Sequence, residues 1–177
     1  MLRSLIKTYE MKQQPEQAYD VLAQNAYKFN WDIEWYENII LQGYELGMKA
    51  LGTGDHAKKD EYFKHATDAF AKVQKGIQHL KTLPEGQLQG KPFENTPDMI
   101  LHAGKMHYMM NQPEQAVNAL KIGIQDDLSE PSAQEIVRWY LAALQKQGQS
   151  DEALLKKLKQ VDPNAEQNIK QLAELQF

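Results

Sequence analysis

Apolar residues recur along this chain at helical spacing. Leu2, Leu5, Ile6 and Tyr9 form one stripe, and Ala18, Val21 and Leu22 another. The longest stripe holds Tyr62, Phe63, Ala66, Ala69, Phe70, Val73, Ile77 and Leu80. Little of the chain alternates with a period of two, and no Asn-Gly or Asp-Gly hairpin turn occurs. The pattern predicts an all-α chain. Helix pairs are expected over about 1–28, 31–82, 97–126 and 131–160, with a last helix over 163–176. Pro15, Pro97 and Pro113 each stand where a helix begins, a position at which the missing N–H costs nothing. Residues 83–97 hold three prolines and two glycines and are read as a loop. A loop of that length inside a compact helical chain is usually functional or mobile.

The string Gln-Pro-Glu-Gln-Ala occurs twice, at 14–18 and at 112–116. The copies lie 98 positions apart and share the wider frame Tyr9 or His107, then Pro, Glu, Gln, Ala, then Leu22 or Leu120. That offset is close to three periods of about 34 residues. Further segments fit the same frame. Leu46-Gly47, Ala50, Gly54-Asp55, Phe63 and Ala66 make one; Ala103-Gly104, His107, Asn111-Gln112, Ala116 and Leu120 make another. Tyr140-Leu141, Leu144, Gly148-Gln149 and Ala153 make a third, and Leu5, Ile6, Tyr9, Gln13-Gln14, Ala18 and Leu22 the first in chain order.

These residues resemble the tetratricopeptide repeat. The resemblance implies an α-solenoid of about four helix pairs plus a C-terminal helix, forming one domain over 1–177. Two departures stand out. Lys59 occupies a small-residue position and Lys157 a bulky one, and equivalent positions lie 41, 57 and 37 residues apart, so the middle is irregular. A narrower resemblance joins the stretch Phe29-Asn30-Trp31 and the loop from Pro84 to Phe93 to soluble tails of O-antigen polymerase or ligase-like membrane proteins of Gram-positive bacteria. It implies a fragment of a surface-polysaccharide assembly protein, membrane-tethered and extracytoplasmic; a standalone chain would be cytoplasmic.

Composition narrows the chemistry. A net charge of −4 disfavours a general nucleic-acid binder, and the absence of cysteine removes disulfides and thiolate chemistry. Apolar runs are too short to cross a bilayer, and the start lacks the apolar region of a signal peptide. His102 and His107 are five apart, the wrong spacing for one helix face, and no HExxH motif occurs, so no metal site or cofactor is expected. Asp32, Glu34 and Glu37 beside Trp31 and Trp35 suit a cap and a wet face better than a hydrolytic pair. Met106, Met109 and Met110 suit a core better than an adaptable surface. No catalytic constellation emerges, and the chain reads as a non-enzyme.

The resemblance implies a concave face lined by the first helix of each pair. Transferring the frame nominates Arg3, Lys7, Tyr44, Met48, Leu101, Lys105, Tyr108, Arg138, Ala142 and Gln145. A basic groove with tyrosines suits an acidic peptide, a C-terminal carboxylate or an anionic glycan. The expected function is a scaffold that binds a protein or peptide. The alternative is an accessory domain in polysaccharide assembly, with Trp31, Trp35, Gln87, Gln89, Lys91 and Phe93 as its surface. The first helix lacks a polar capping repeat, which suits self-association.

Overall fold

The computed structural model describes residues 1–29, 32–82 and 93–177, and the described residues are helical with no strand. The helices are α1 (Leu2–Met11), α2 (Pro15–Gln24), α3 (Ile33–Gly52), α4 (His56–Leu80), α5 (Pro97–Met109), α6 (Pro113–Lys121), α7 (Pro131–Lys146), α8 (Glu152–Val161) and α9 (Ala165–Glu174). The chain divides into two compact units, Met1–Asn95 and Thr96–Phe177. Among the described residues no helix is long and apolar enough to cross a membrane.

Local chemistry sets the helix starts. Asp32, Asp55, Thr96 and Asp151 each accept a hydrogen bond from the backbone N–H three residues on, at 3.2, 3.0, 3.3 and 3.0 Å. Proline occupies the first turn of α2, α5, α6 and α7.

The ends of α1, α3, α5 and α7 share one turn. Gln13, Gly54, Asn111 and Gly148 take positive φ of 57°, 77°, 58° and 68°. The next residue's N–H then reaches back five positions: Gln14 to Tyr9, Asp55 to Ala50, Gln112 to His107 and Gln149 to Leu144, each at 2.9 Å. This is the Schellman ending, which satisfies carbonyls that a helix C-terminus leaves unpaired. The duplicated pentamer therefore begins at the residue after the left-handed one, with φ/ψ of −115°/67° at Gln14 and −118°/66° at Gln112.

Packing repeats in the same register. Seven residues before two of these turns stands a glycine, and nine after stands a bulky apolar residue. A Cβ on Gly47 would lie 2.2 Å from the Phe63 ring, and one on Gly104 would lie 2.3 Å from Leu120. Phe63 and Leu120 are fully buried. Ala18 and Ala116 are buried at equivalent positions, and Lys59, which takes that place in α4, is buried too, with its ammonium 3.2 Å from Asp60.

In the first unit α1 packs on α2, α2 on α3 and α3 on α4. Its core centres on Tyr19, Trp35, Ile39, Ile40, Phe63 and Val73. In the second unit α5 and α7 both contact α6 and each other, and α7 also contacts α8 and α9. Its core centres on Met99, Met106, Tyr108, Leu120, Ile136 and Val137. Met106 and Met109 are buried, whereas Met110, expected to join them in the core, is half-buried.

Several boundaries differ from the sequence expectation. Helix α2 stops at Gln24 rather than near 28, and a separate 3-10 turn covers Ala26–Lys28. Helix α6 stops at Lys121 rather than near 126. Gly123 follows, close to Ile100 and Ile136, where an added Cβ would lie 3.0 Å from a methyl carbon of each. Helix α9 stops at Glu174 rather than 176, and Leu175 is extended. Of the expected loop, 83–92 lies outside the described residues. Phe93 packs its ring on Gly76, and Asn95 pairs with Gln74 through two amide hydrogen bonds at 2.6 and 3.3 Å.

Candidate functional site

In the second unit α5 and α7 bring aromatic and charged side chains together. Residues at 101, 105 and 108 of α5 and at 135, 139, 142 and 146 of α7 follow helical spacing, so each set lies on one face of its helix. The two faces meet. Lys105 pairs with Glu135 and holds its ammonium 5.4 Å from the centre of the Trp139 ring. Trp139 meets Tyr108 edge to face, with centroids 5.3 Å apart. Lys146 sits over the other end of that stack, 4.1 Å from the Tyr108 centroid.

Tyr108 is buried, and its hydroxyl donates to the Leu172 carbonyl at 2.8 Å. Burial pushes its phenol up to about 12. Burial also lowers the Lys146 ammonium from its ordinary value. A cleft of about 620 Å³ opens here, between Tyr108, Met109, Asn111 and Lys146 on one side and residues 173–177 on the other.

Arg138 lies elsewhere on α7. Its Nε donates to Asp162 at 2.9 Å and its Nη2 to Gln134 at 3.2 Å. Burial alone would raise the Asp162 carboxyl. The hydrogen bonds from Arg138, the Asn164 N–H and Asn168, with the charge of Arg138, hold it below the usual carboxylate value.

The nominated groove residues thus have varied settings. Leu101 and Tyr108 are buried, Ala142 is fully buried, and Gln145 is exposed. Lys105 and Arg138 are half-buried in ion pairs with Glu135 and Asp162. In the first unit, exposed Arg3 pairs with Asp32 at 2.5 Å and lies 3.8 Å from Glu34. Lys7 is exposed, Met48 is half-buried, and Tyr44 stacks parallel to Phe63 at 6.2 Å. The expected excess of basic charge is therefore locally neutralised at Arg3, Lys105 and Arg138, by acids that do not belong to the first-helix frame or stand one turn off it.

On α7 the frame nominates 138, 142 and 145, whereas the side chains seen to meet those of α5 are Glu135, Trp139 and Lys146. Trp139 and Lys146 were missed, although an aromatic and a lysine at that spacing were legible in the sequence.

Of the alternative surface, Trp31, Gln87, Gln89 and Lys91 lie outside the described residues. Trp35 is buried. Its indole N–H donates to the Leu22 carbonyl at 3.0 Å, and its ring stacks on Phe29 at 3.8 Å. It holds α3 to the end of α2. Among the described residues no three His, Asp or Glu side chains gather as metal ligands would.

Comparison of the chain with protein-family models, with curated proteins and with solved structures finds no match.

Proposed function

We propose that this chain is a non-catalytic, tetratricopeptide-like scaffold that binds an extended peptide on the α5/α7 face. One observation carries the reading: four helix ends share one Schellman turn, in register with a glycine seven residues before and a bulky partner nine after in two of them. Such recurrence is what stacked helix pairs require, because each pair buries its apolar stripe only against the next. The order of contacts within the second unit supports it, since α5 and α7 touch each other with α6 packed against both. First helices that touch in this way line one face.

The ligand chemistry differs from the basic groove expected from sequence. Lys105 and Arg138 already have carboxylate partners, so a strongly acidic ligand would have to displace them. The face presents the half-buried Lys146 ammonium above the buried rings of Tyr108 and Trp139. That combination suits main-chain carbonyls and an apolar or aromatic side chain better than a run of acids.

Selection of the purified chain against a random peptide display library tests the reading. Enriched peptides should bind in a one-to-one complex and shift the amide resonances of α5 and α7. Enrichment of nothing, or shifts confined to α6 and α8, would sink it.

A further inference from the structure

Beyond α9 the chain folds back over the α5/α7 face. Leu175 is extended, with φ −65° and ψ 137°, and its carbonyl accepts a hydrogen bond from Lys146 Nζ at 3.3 Å. Two residues on, the Phe177 ring meets the Tyr108 ring edge to face, with centroids 6.3 Å apart. Leu175 is 43% exposed and Phe177 half-buried, so this segment lies against the α5/α7 face as one wall of the cleft and not in the core. Helix α9 itself is anchored separately, by buried Ala165 and Ile169.

We propose that Leu175–Phe177 is a tethered occupant of the peptide site, and that the external ligand is a peptide of the same chemistry. That ligand has an extended backbone, a carbonyl for Lys146, and an aromatic residue two positions later for Tyr108. The inference rests on the peptide-binding reading above and adds that the site is self-blocked.

The contacts divide as peptide recognition does. A hydrogen bond to a main-chain carbonyl is indifferent to sequence and aligns the segment, while the ring contact selects a side chain. Both can be made by a separate strand without rearranging α5 or α7. Neither holds the tail strongly, because one hydrogen bond and one aromatic pair are each a weak contact once the loss of water is counted. Tethering compensates, since a short connection keeps the tail at an effective concentration on the order of millimolar. A free ligand must therefore outcompete a weak but always present neighbour.

The probe is a synthetic, fluorescently labelled peptide of sequence Leu-Ala-Glu-Leu-Gln-Phe, copied from 172–177. Its binding is read by anisotropy against the full chain and against full-length Phe177→Ala. Release of the tail should tighten binding measurably, by removing an intramolecular competitor present at an effective concentration on the order of millimolar. Lys146→Met in the Phe177→Ala background keeps the stem over Tyr108 and should reverse most of that gain. Gln167→Ala, at an exposed position of α9 away from the cleft, should bind the probe as the wild type does.

Equal binding to wild type and Phe177→Ala, with helicity unchanged by circular dichroism, would overturn the proposal and leave the tail as a cap. So would a tightening that Lys146→Met does not touch, or a concentration-dependent dimer in which a second copy's tail fills the cleft. The library-selected peptides, titrated alongside, separate the two readings. If they bind the α5/α7 face while the tail peptide does not, only the self-blocking inference fails. If neither binds, the scaffold reading fails with it.

Discussion

Adding one methyl group at Gly104 should destabilise the second unit, against the helix propensity of the substitution. A Cβ there would lie 2.3, 2.4 and 2.9 Å from three carbons of Leu120, which is fully buried and has nowhere to retreat. Overpacking a core in this way costs about 1–3 kcal/mol. Replacing glycine by alanine within a helix gains about 1 kcal/mol. With the approach so close, the upper part of the overpacking range applies, and Gly104→Ala should lose a net of about 1–2 kcal/mol. A double-mutant cycle isolates the cause. Leu120→Ala alone should cost about 2–5 kcal/mol. In that background the added methyl enters vacated space, so Gly104→Ala should become neutral or stabilising by up to about 1 kcal/mol. Urea unfolding followed by circular dichroism measures each corner. Hydrogen exchange of peptides covering 97–121 locates the change, since the two units need not unfold together. Gly52→Ala, where nothing lies within 4 Å of the new Cβ, serves as the control and should gain a few tenths of a kcal/mol or more. If Gly104→Ala leaves stability unchanged or raises it with Leu120 intact, the close approach of α5 and α6 is wrong.

Three further outcomes are expected. Gln13→Gly should raise the melting temperature of the first unit, because a left-handed glutamine costs about 1–2 kcal/mol that glycine does not bear; Asn111→Gly should gain less, as asparagine tolerates that conformation, and equal gains would contradict the assignment. The Asp162 carboxyl is lower in the folded than in the unfolded chain, so its contribution is present above the ordinary value of 3.8 and lost as pH falls through its folded value; Asp162→Asn should destabilise at neutral pH and flatten the acid limb of the stability curve below about pH 4, as read by urea midpoints across pH. The Tyr108 phenol is raised from 10.0 to about 12, so its contribution is present below pH 10 and lost as pH climbs toward 12; Tyr108→Phe should flatten that alkaline limb and remove one late-titrating phenol from the tyrosinate absorbance curve.

Much of the fold is written in local pattern. The helical stripes, the prolines at first turns and the Asp and Thr caps act within a few residues of themselves, so α1 to α9 can be read to within a few positions. The four turns were legible for the same reason: a Schellman ending needs one left-handed residue, and glycine or asparagine supplies it at Gly54, Asn111 and Gly148. Gln13 is the exception, and only its likeness to the second pentamer revealed it. The end of α6 at Lys121 was not legible, because the apolar residues Ile122 and Ile124 continue past it without a helix-breaking proline.

The site divides along the same line. The repeat frame suggested by the sequence brought Lys105 and Tyr108 forward. It could not determine rotation about the α7 axis, and one step of about 100° separates Arg138 and Gln145 from Trp139 and Lys146. Nor could it show that Glu135 and Asp162 neutralise the lysine and arginine, or that the last residues return to Tyr108. Those facts depend on which faces touch across distant segments. Helix formation is a near-neighbour property, whereas charge pairing, burial and occupation of a cleft are decided by packing.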